Sequence, residues 1–166
     1  MIKHKEQRVG VFVDVQNMYY SAKNLFQAKV NFGKILEEAV AGRKLVRAMA
    51  YVIKAPNSVE DNFFTALDNL GFEIKAKELQ VYAGGNKKGD WDVGLVIDAI
   101  RMSRNLDVVV LVSGDGDYIP AVEYLQNNGV MVEGVAFEET ASSKLIEKVD
   151  DFTNLSANKR KFLIKY

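Results

Sequence analysis

Val108-Val109-Val110-Leu111-Val112-Ser113-Gly114-Asp115-Gly116-Asp117 is an unbroken apolar run that ends in a Gly-Asp-Gly-Asp turn. Five aliphatic residues without polar alternation read as a strand buried on both faces. Two glycines let the turn take backbone conformations that other residues resist. Two carboxylates are thereby delivered together at the carboxyl end of the strand, the end where open parallel sheets bind ligands. The pattern recurs near the start, where Val9-Gly10-Val11-Phe12-Val13 runs into Asp14. Two buried strands that each finish in an acid set the reading of the whole chain.

Outward from these runs, apolar periodicity alternates between strand and helix. Asn17 is placed to cap a short helix over 18–26, its side-chain oxygen accepting from a first-turn amide. Asn31 caps a second helix, with Phe32, Ile35, Leu36, Ala39 and Val40 at helical spacing before Gly42 stops it. A strand over 45–54 closes at Pro56 and Asn57. Ser58 and Asp61 resemble a capping box for a helix carrying Phe63, Leu67 and Leu70 on one face. Residues 72–79 alternate Glu73, Lys75 and Lys77 against Ile74 and Ala76, the pattern of a half-exposed edge strand. A loop over 80–90 precedes a helix over 91–103, with Val93, Val96, Ile97 and Ile100 turned inward. A helix over 118–128 tolerates Pro120 in its first turn. A fifth strand follows at 130–136 and a last helix at 141–149.

Strands alternating with helices specify an α/β fold, a three-layer α/β/α sandwich around a central parallel sheet. Counted in chain order, the first and fourth strands are the most apolar and belong side by side at the centre, giving the order 3-2-1-4-5. The order reverses between those two, so their carboxyl ends frame a crevice where Asp14, Asp115 and Asp117 converge. A right-handed connection into the fourth strand starts its helix at the same end, so Asp92 can join them.

The bulk composition excludes several classes of function. At 166 residues the chain makes one domain, read as 1–155, with a basic tail over 156–166. Lys plus Arg and Asp plus Glu both number 22, so net charge gives no general attraction to nucleic acid or membrane. The absence of Cys removes disulfides, thiolate metal sites and a thiol nucleophile. His4, in a charged leader, is the only histidine, which excludes Ser-His-Asp chemistry. There is no Gly-x-x-x-x-Gly-Lys-Ser/Thr loop. Asp14-Val15-Gln16-Asn17 stands where a dinucleotide site would need Gly-x-Gly-x-x-Gly. The charged start is unlike a signal peptide, and no apolar run nears the ~20 residues that span a bilayer. A cytoplasmic protein without membrane contact is expected.

Carboxylates crowded into a crevice repel one another unless a cation neutralises them. An all-oxygen cluster suits the hard ions Mg²⁺ or Mn²⁺. Structural roles compete for some of these acids. Asp117 could cap the helix that follows it, Asp14 could close a turn, and Asp90 reads as a cap. Asp98, three residues before Arg101, reads as half of a surface helix pair.

These residues carry a resemblance. Val11-Phe12-Val13-Asp14-Val15-Gln16-Asn17 resembles the opening Phe-Ile-Asp-Gly-x-Asn motif of NYN domains, the LabA-like branch of the PIN-like nuclease superfamily. Lys87-Lys88-Gly89-Asp90-Trp91-Asp92-Val93-Gly94-Leu95 is similar to that family's Lys-x-Lys-x-Val-Asp-Val-x-Leu block. Ser113-Gly114-Asp115-Gly116-Asp117-Tyr118 matches its Ser-Gly-Asp-x-Asp-Phe block. Ser143-Lys144-Leu145 and Val149-Asp150-Asp151-Phe152 resemble its closing segment. Two departures stand out: Val15-Gln16 replaces a Gly-containing pair, and the bulkier Trp91 sits where Val is common.

The resemblance implies a PIN-like (Rossmann-like) sandwich and a metal-dependent ribonuclease. Asp14, Asp92, Asp115 and Asp117 would be the acidic, catalytic ligands of Mg²⁺ or Mn²⁺, with Asn17 and Ser113 as supporting polar residues. RNA, single-stranded or structured, would be the partner. Its phosphates would meet Lys54, Lys87 and Lys88, while Tyr19, Tyr20, Trp91 or Tyr118 would stack on unpaired bases. The alternatives are a non-catalytic RNA-binding or regulatory module, and a metal-dependent phosphatase or small-nucleotide hydrolase on the same sheet. Chain size and an apolar tail leave a homodimer open.

Overall fold

The computed structural model describes residues 3–54, 61–81, 87–88 and 90–165. Six parallel strands form the central sheet: β1 (Arg8–Asp14), β3 (Lys44–Lys54), β4 (Glu73–Glu78), β7 (Val108–Val112), β8 (Met131–Ala136) and β9 (Asp151–Asn154). Two short strands, β2 (Ala28–Val30) and β10 (Leu163–Lys165), pair as an antiparallel ribbon beside the sheet. A second ribbon joins β5 (Gln80–Val81) to β6 (Lys87–Lys88). The helices are α1 (Val15–Phe26), α2 (Phe32–Val40), α3 (Asp61–Asn69), α4 (Asp92–Met102), α5 (Ile119–Asn127), α6 (Ser143–Lys148) and α7 (Lys159–Phe162).

The sheet order is β4-β3-β1-β7-β8-β9. The first five are the expected 3-2-1-4-5, and the order differs by the sixth strand, β9, at the far edge. That strand was missed because Asp151-Phe152-Thr153-Asn154 is short and polar; it joins through pairing with β8, not through its own hydrophobicity. β4, with its alternating charges, is the opposite edge as expected.

Strand side chains alternate between two cores, the period-2 rule acting on both faces of a buried sheet. Val9, Val11, Val13, Val108, Val110 and Val112 pack toward α1, α2 and α3. Phe12, Met49, Tyr51, Val109 and Leu111 pack toward α4, α5 and α6. Asp14 shares the parity of Phe12, so its carboxylate belongs to the second face. Residues 156–165, set apart in the sequence as a basic tail, lie against the body. Phe162 is buried in the first core, Asn31 donates its backbone N–H to the Phe162 carbonyl, and β10 pairs with β2.

Several local readings are corrected. α1 starts three residues earlier than expected, and its N-cap is Asp14, whose Oδ1 accepts from Asn17 N–H at 3.2 Å. Asn17 is therefore free to serve elsewhere. α4 buries Leu95, Asp98 and Ala99, leaving Val93 and Ile97 on the outside. Its apolar residues occupy most of its circumference, so periodicity alone could not select the inner face. Asp98 is no surface partner of Arg101: it is buried, accepting from Tyr51 Oη at 2.8 Å and Lys75 Nζ at 2.7 Å. On α3, Leu67 is buried while Phe63 and Leu70 are partly exposed. The Asn31 cap of α2 and its inward Phe32, Ile35, Leu36 and Ala39 are as expected. Pro56, Asn57 and Ser58 lie outside the described residues.

Candidate metal centre

Register places the site. Val13 of β1 pairs with Val112 of β7, so the next residues, Asp14 and Ser113, emerge side by side where the sheet ends. Ser113 is fully buried. Its Oγ donates to Asp14 Oδ2 at 3.4 Å and accepts from Asp115 N–H at 3.1 Å. Asn17 Oδ1 accepts from Gly114 N–H at 3.1 Å, tying α1 to the turn after β7. Asn17 and Ser113 are thus both hydrogen-bonded within the group, to Gly114 and to Asp14 and Asp115 respectively.

The turn at 114–116 is glycine-rich for want of space. Neither Gly114 nor Gly116 has a positive φ, which corrects the expectation of an unusual backbone conformation. A Cβ on Gly114 would lie 2.8 Å from Ala141 Cα, and one on Gly116 would lie 2.9 Å from Ser142 Oγ. Ser142 N–H donates to the Gly114 carbonyl at 2.9 Å, locking the turn against the start of α6. Gly114→Ala is therefore expected to push the two backbones apart, at a cost of about 1–3 kcal/mol, and to displace Asp115. Thermal unfolding with and without Mn²⁺ checks both effects.

Asp14, Asp92 and Asp115 each offer one carboxylate oxygen, and these oxygens all lie within 4.8 Å of one another. Asp14 comes from the end of β1, Asp92 from the first turn of α4, and Asp115 from the turn after β7. The ion pairs between described residues include none to these three. Tyr118 Oη sits between two of them, 3.1 Å from Asp14 Oδ2 and 3.1 Å from Asp92 Oδ1. Asp117 stands outside the group: it is exposed, and its backbone N–H donates to Asp115 Oδ1 at 2.9 Å.

The electrostatics follow from burial and like charge. Burial, then the charge of Asp115, pushes Asp92 up to about 6. Burial raises Asp14 as well, with Asp115 adding to it, against the lowering bonds from Asn17, Tyr118 and Ser113. Tyr118 is driven upward by burial and by both neighbouring carboxylates, so it stays a neutral donor. Among the described residues these three carboxylates are met by neutral donors, the Tyr118 and Ser113 hydroxyls and the Asn17 and Asp117 N–H groups, and by no cation. An all-oxygen donor set of this kind fits a hard divalent ion, which needs a few carboxylates and keeps several waters.

The rim differs from expectation in its aromatics. Tyr118 is only 1% exposed, so its ring offers no face to a base; its part is the hydroxyl on the acids. Trp91 is half-buried, donating Nε1–H to the Val52 carbonyl at 2.8 Å and packing edge-on against Tyr51. Lys77 Nζ covers its ring at 4.4 Å and donates to the Asp90 carbonyl at 3.2 Å. Lys77 is the rim cation that sequence reasoning overlooked, its alternation in β4 being the available signal. The N-cap position of α4 is Trp91, without a side-chain cap bond, and Asp90, expected as the cap, sits one residue earlier, its Oδ1 accepting from Asp92 N–H at 3.3 Å. Lys54 ends β3, opposite Glu78 at the end of the edge strand β4. Lys87 and Lys88 form β6, while their side chains lie outside the described ones. Tyr19 and Tyr20 on α1 are 42% and 49% exposed. No helix among the described residues is long and apolar enough to cross a membrane.

Comparison with known proteins places this arrangement. The NYN domain model matches residues 8–156. The protein LabA of Synechococcus elongatus (low amplitude and bright) is 27% identical over 164 residues, covering 92% of this chain and 86% of LabA. An uncharacterized protein of Methanocaldococcus jannaschii, MJ0482, is 26% identical over 145 residues, which are 84% of this chain and 52% of that one. Among solved structures, VPA0982 of Vibrio parahaemolyticus, a protein of unknown function, superposes with a TM-score of 0.86 at 31% identity, covering 99% of this chain and 100% of that one. A family match across nearly the whole sheet, acids included, agrees with the motif order read from the sequence: the chain belongs to the NYN domain family.

Proposed function

We propose that the chain is a metal-dependent ribonuclease that hydrolyses RNA phosphodiester bonds at the centre formed by Asp14, Asp92 and Asp115. The observation that carries this reading is the set of three carboxylate oxygens within 4.8 Å, drawn from three separate elements and without an ion-paired cation among the described residues. When bound, Mg²⁺ or Mn²⁺ supplies charge stabilisation at a phosphodiester and makes a water acidic enough to attack it. Asp14, Asp92 and Asp115 hold the ion, and Ser113 and Asn17 keep Asp14 and the 114–116 turn in place. Asp117, exposed one turn away, is left to contact substrate or a second ion. Lys54 and Lys77 stand where RNA phosphates would approach, Lys87 and Lys88 of β6 are the further cations assigned to that contact, and exposed Tyr19 and Tyr20 give unpaired bases a surface to stack on. The only histidine, His4, lies in the N-terminal leader, so no imidazole base is assigned; a bound ion would lower the pKa of its water enough for the proton to pass to solvent.

The test is cleavage of labelled single-stranded and hairpin RNAs with Mn²⁺, with Mg²⁺ and with a chelator. Metal-dependent cutting supports the reading. RNA that is bound but left intact under every condition favours a non-catalytic RNA-binding module instead. Acid should inhibit in a defined direction. Asp92 is pushed up to about 6, so Mn²⁺ affinity and cleavage are both expected to fall as pH drops through about 6, as its carboxylate takes up a proton. Mn²⁺ titrations between pH 5 and pH 8 check this, and a flat profile would contradict it.

A further inference from the structure

Asp14 and Asp92 are held very differently. Asp14 Oδ1 accepts from Asn17 N–H, and its Oδ2 accepts from Ser113 Oγ and Tyr118 Oη. Asp92 sits in the first turn of α4, and among the bonds between described residues its carboxylate accepts from Tyr118 Oη alone. The Tyr118 ring is fixed by the core around it, packed with Leu95, Val122 and Leu145. Its hydroxyl carries one proton and so donates to one carboxylate at a time, while spanning both at 3.1 Å. Remove that hydroxyl and nothing described restrains Asp92 against the repulsion of Asp14 and Asp115.

We propose that Tyr118 is a positioning residue that sets the strength of divalent-cation binding, by tying the carboxylate of Asp92 to that of Asp14. The inference rests on the reading above that these acids hold the ion. Hydrogen bonds to ligating carboxylates orient them before the ion arrives, and losing such a partner weakens metal binding by roughly 10–100-fold. The hydroxyl acts through Asp92 and Asp14, so its loss is felt in how tightly the ion is taken up. Turnover at saturating ion, once all three acids are gathered, is affected far less.

The experiment is calorimetric titration of Mn²⁺ into the purified full chain, comparing wild type with Tyr118→Phe and with Tyr51→Phe. Tyr51 is another buried tyrosine, whose hydroxyl bonds Asp98, so it controls for the general effect of deleting a buried hydroxyl. The expected result is a Kd for Mn²⁺ raised about 10-fold or more by Tyr118→Phe and unmoved by Tyr51→Phe. RNA cleavage by Tyr118→Phe should recover when Mn²⁺ is raised to saturation. A double-mutant cycle adds a readout that a loosened core would not satisfy: in an Asp92→Ala background, Tyr118→Phe should weaken Mn²⁺ no further. Unchanged affinity in Tyr118→Phe, equal losses in the two Tyr→Phe variants, or additive losses in the cycle would each overturn the proposal while leaving the metal centre standing. Absence of saturable Mn²⁺ binding by wild type would instead remove the metal centre itself.

Discussion

Asp115→Asn is expected to lower Mn²⁺-dependent RNA cleavage by more than about 100-fold, since loss of a ligand's partner alone costs roughly 10–100-fold. Asp115 Oδ1 accepts from Asp117 N–H, and asparagine keeps an oxygen there, so the turn survives while a charge is lost. Asp14→Asn should behave alike, because an amide oxygen can still cap α1 at Asn17 N–H. Gel assays at fixed Mn²⁺ read the loss, and circular dichroism shows the fold retained. If both variants cut as fast as wild type, the chemistry lies elsewhere or in a contaminant.

The same substitution should stabilise the metal-free protein. Asp14 and Asp92 are both raised above the ordinary aspartate value, with Asp115 among the causes. A carboxyl raised in the folded state binds protons that the unfolded chain does not, so its contribution to stability is present at low pH and lost as pH rises through about 6 for Asp92. At neutral pH the three charges therefore work against folding until a cation arrives. In chelator at pH 7.5 the Tm of Asp115→Asn is expected to exceed that of wild type, and the gap should narrow toward pH 5. A lower Tm for the variant throughout would show that Asp115 holds the fold together and is no electrostatic burden.

Arg43→Ala is expected to be the most destabilising single change outside the centre, at about 3–5 kcal/mol, or roughly 10 °C or more in Tm. Arg43 and Glu133 are 6% and 3% exposed and meet in two parallel bonds of 2.8 Å. The remaining bonds of the guanidinium reach the Ala39 and Val40 carbonyls at the end of α2 and Gln7 Oε1. One side chain thus joins the N-terminal segment, α2 and β8. Truncating it leaves the buried Glu133 carboxylate with only the longer Lys3 contact at 3.8 Å, and Arg43→Lys loses the fork geometry that makes the pair bidentate. Urea melts of Arg43→Ala, Arg43→Lys and the double replacement Arg43→Leu/Glu133→Leu test the account. The double variant should regain much of the loss, because apolar groups of similar volume leave no charge unpaired.

The sandwich was legible because its central strands are buried on both faces, which forces continuous apolar runs such as Val108–Val112 that no surface segment resembles. Two acids stood out because each follows a run of buried valines, although Asp14 also caps α1 and Asp115 also accepts from Asp117 N–H. β9, the exposed side of α4 and the buried state of Asp98 were illegible. Each depends on a partner distant in sequence: the edge of β8, the packing of α5, the hydroxyl of Tyr51 and the ammonium of Lys75.

By itself, the sequence determined the alternation of strands and helices, the order of the five main strands, and the gathering of acids at one end of the sheet, all of which follow from local periodicity and the handedness of connections. Only the tertiary structure decided which acids meet. It brought Asp14, Asp92 and Asp115 together, set Asp117 on the exposed side, turned Tyr118 from a surface for bases into a clamp on two carboxylates, and made Gly114 a matter of room beside Ala141. The physical reason is that side-chain direction and contact distance at the ends of elements arise from packing between segments remote in the chain, on which residue spacing carries no information.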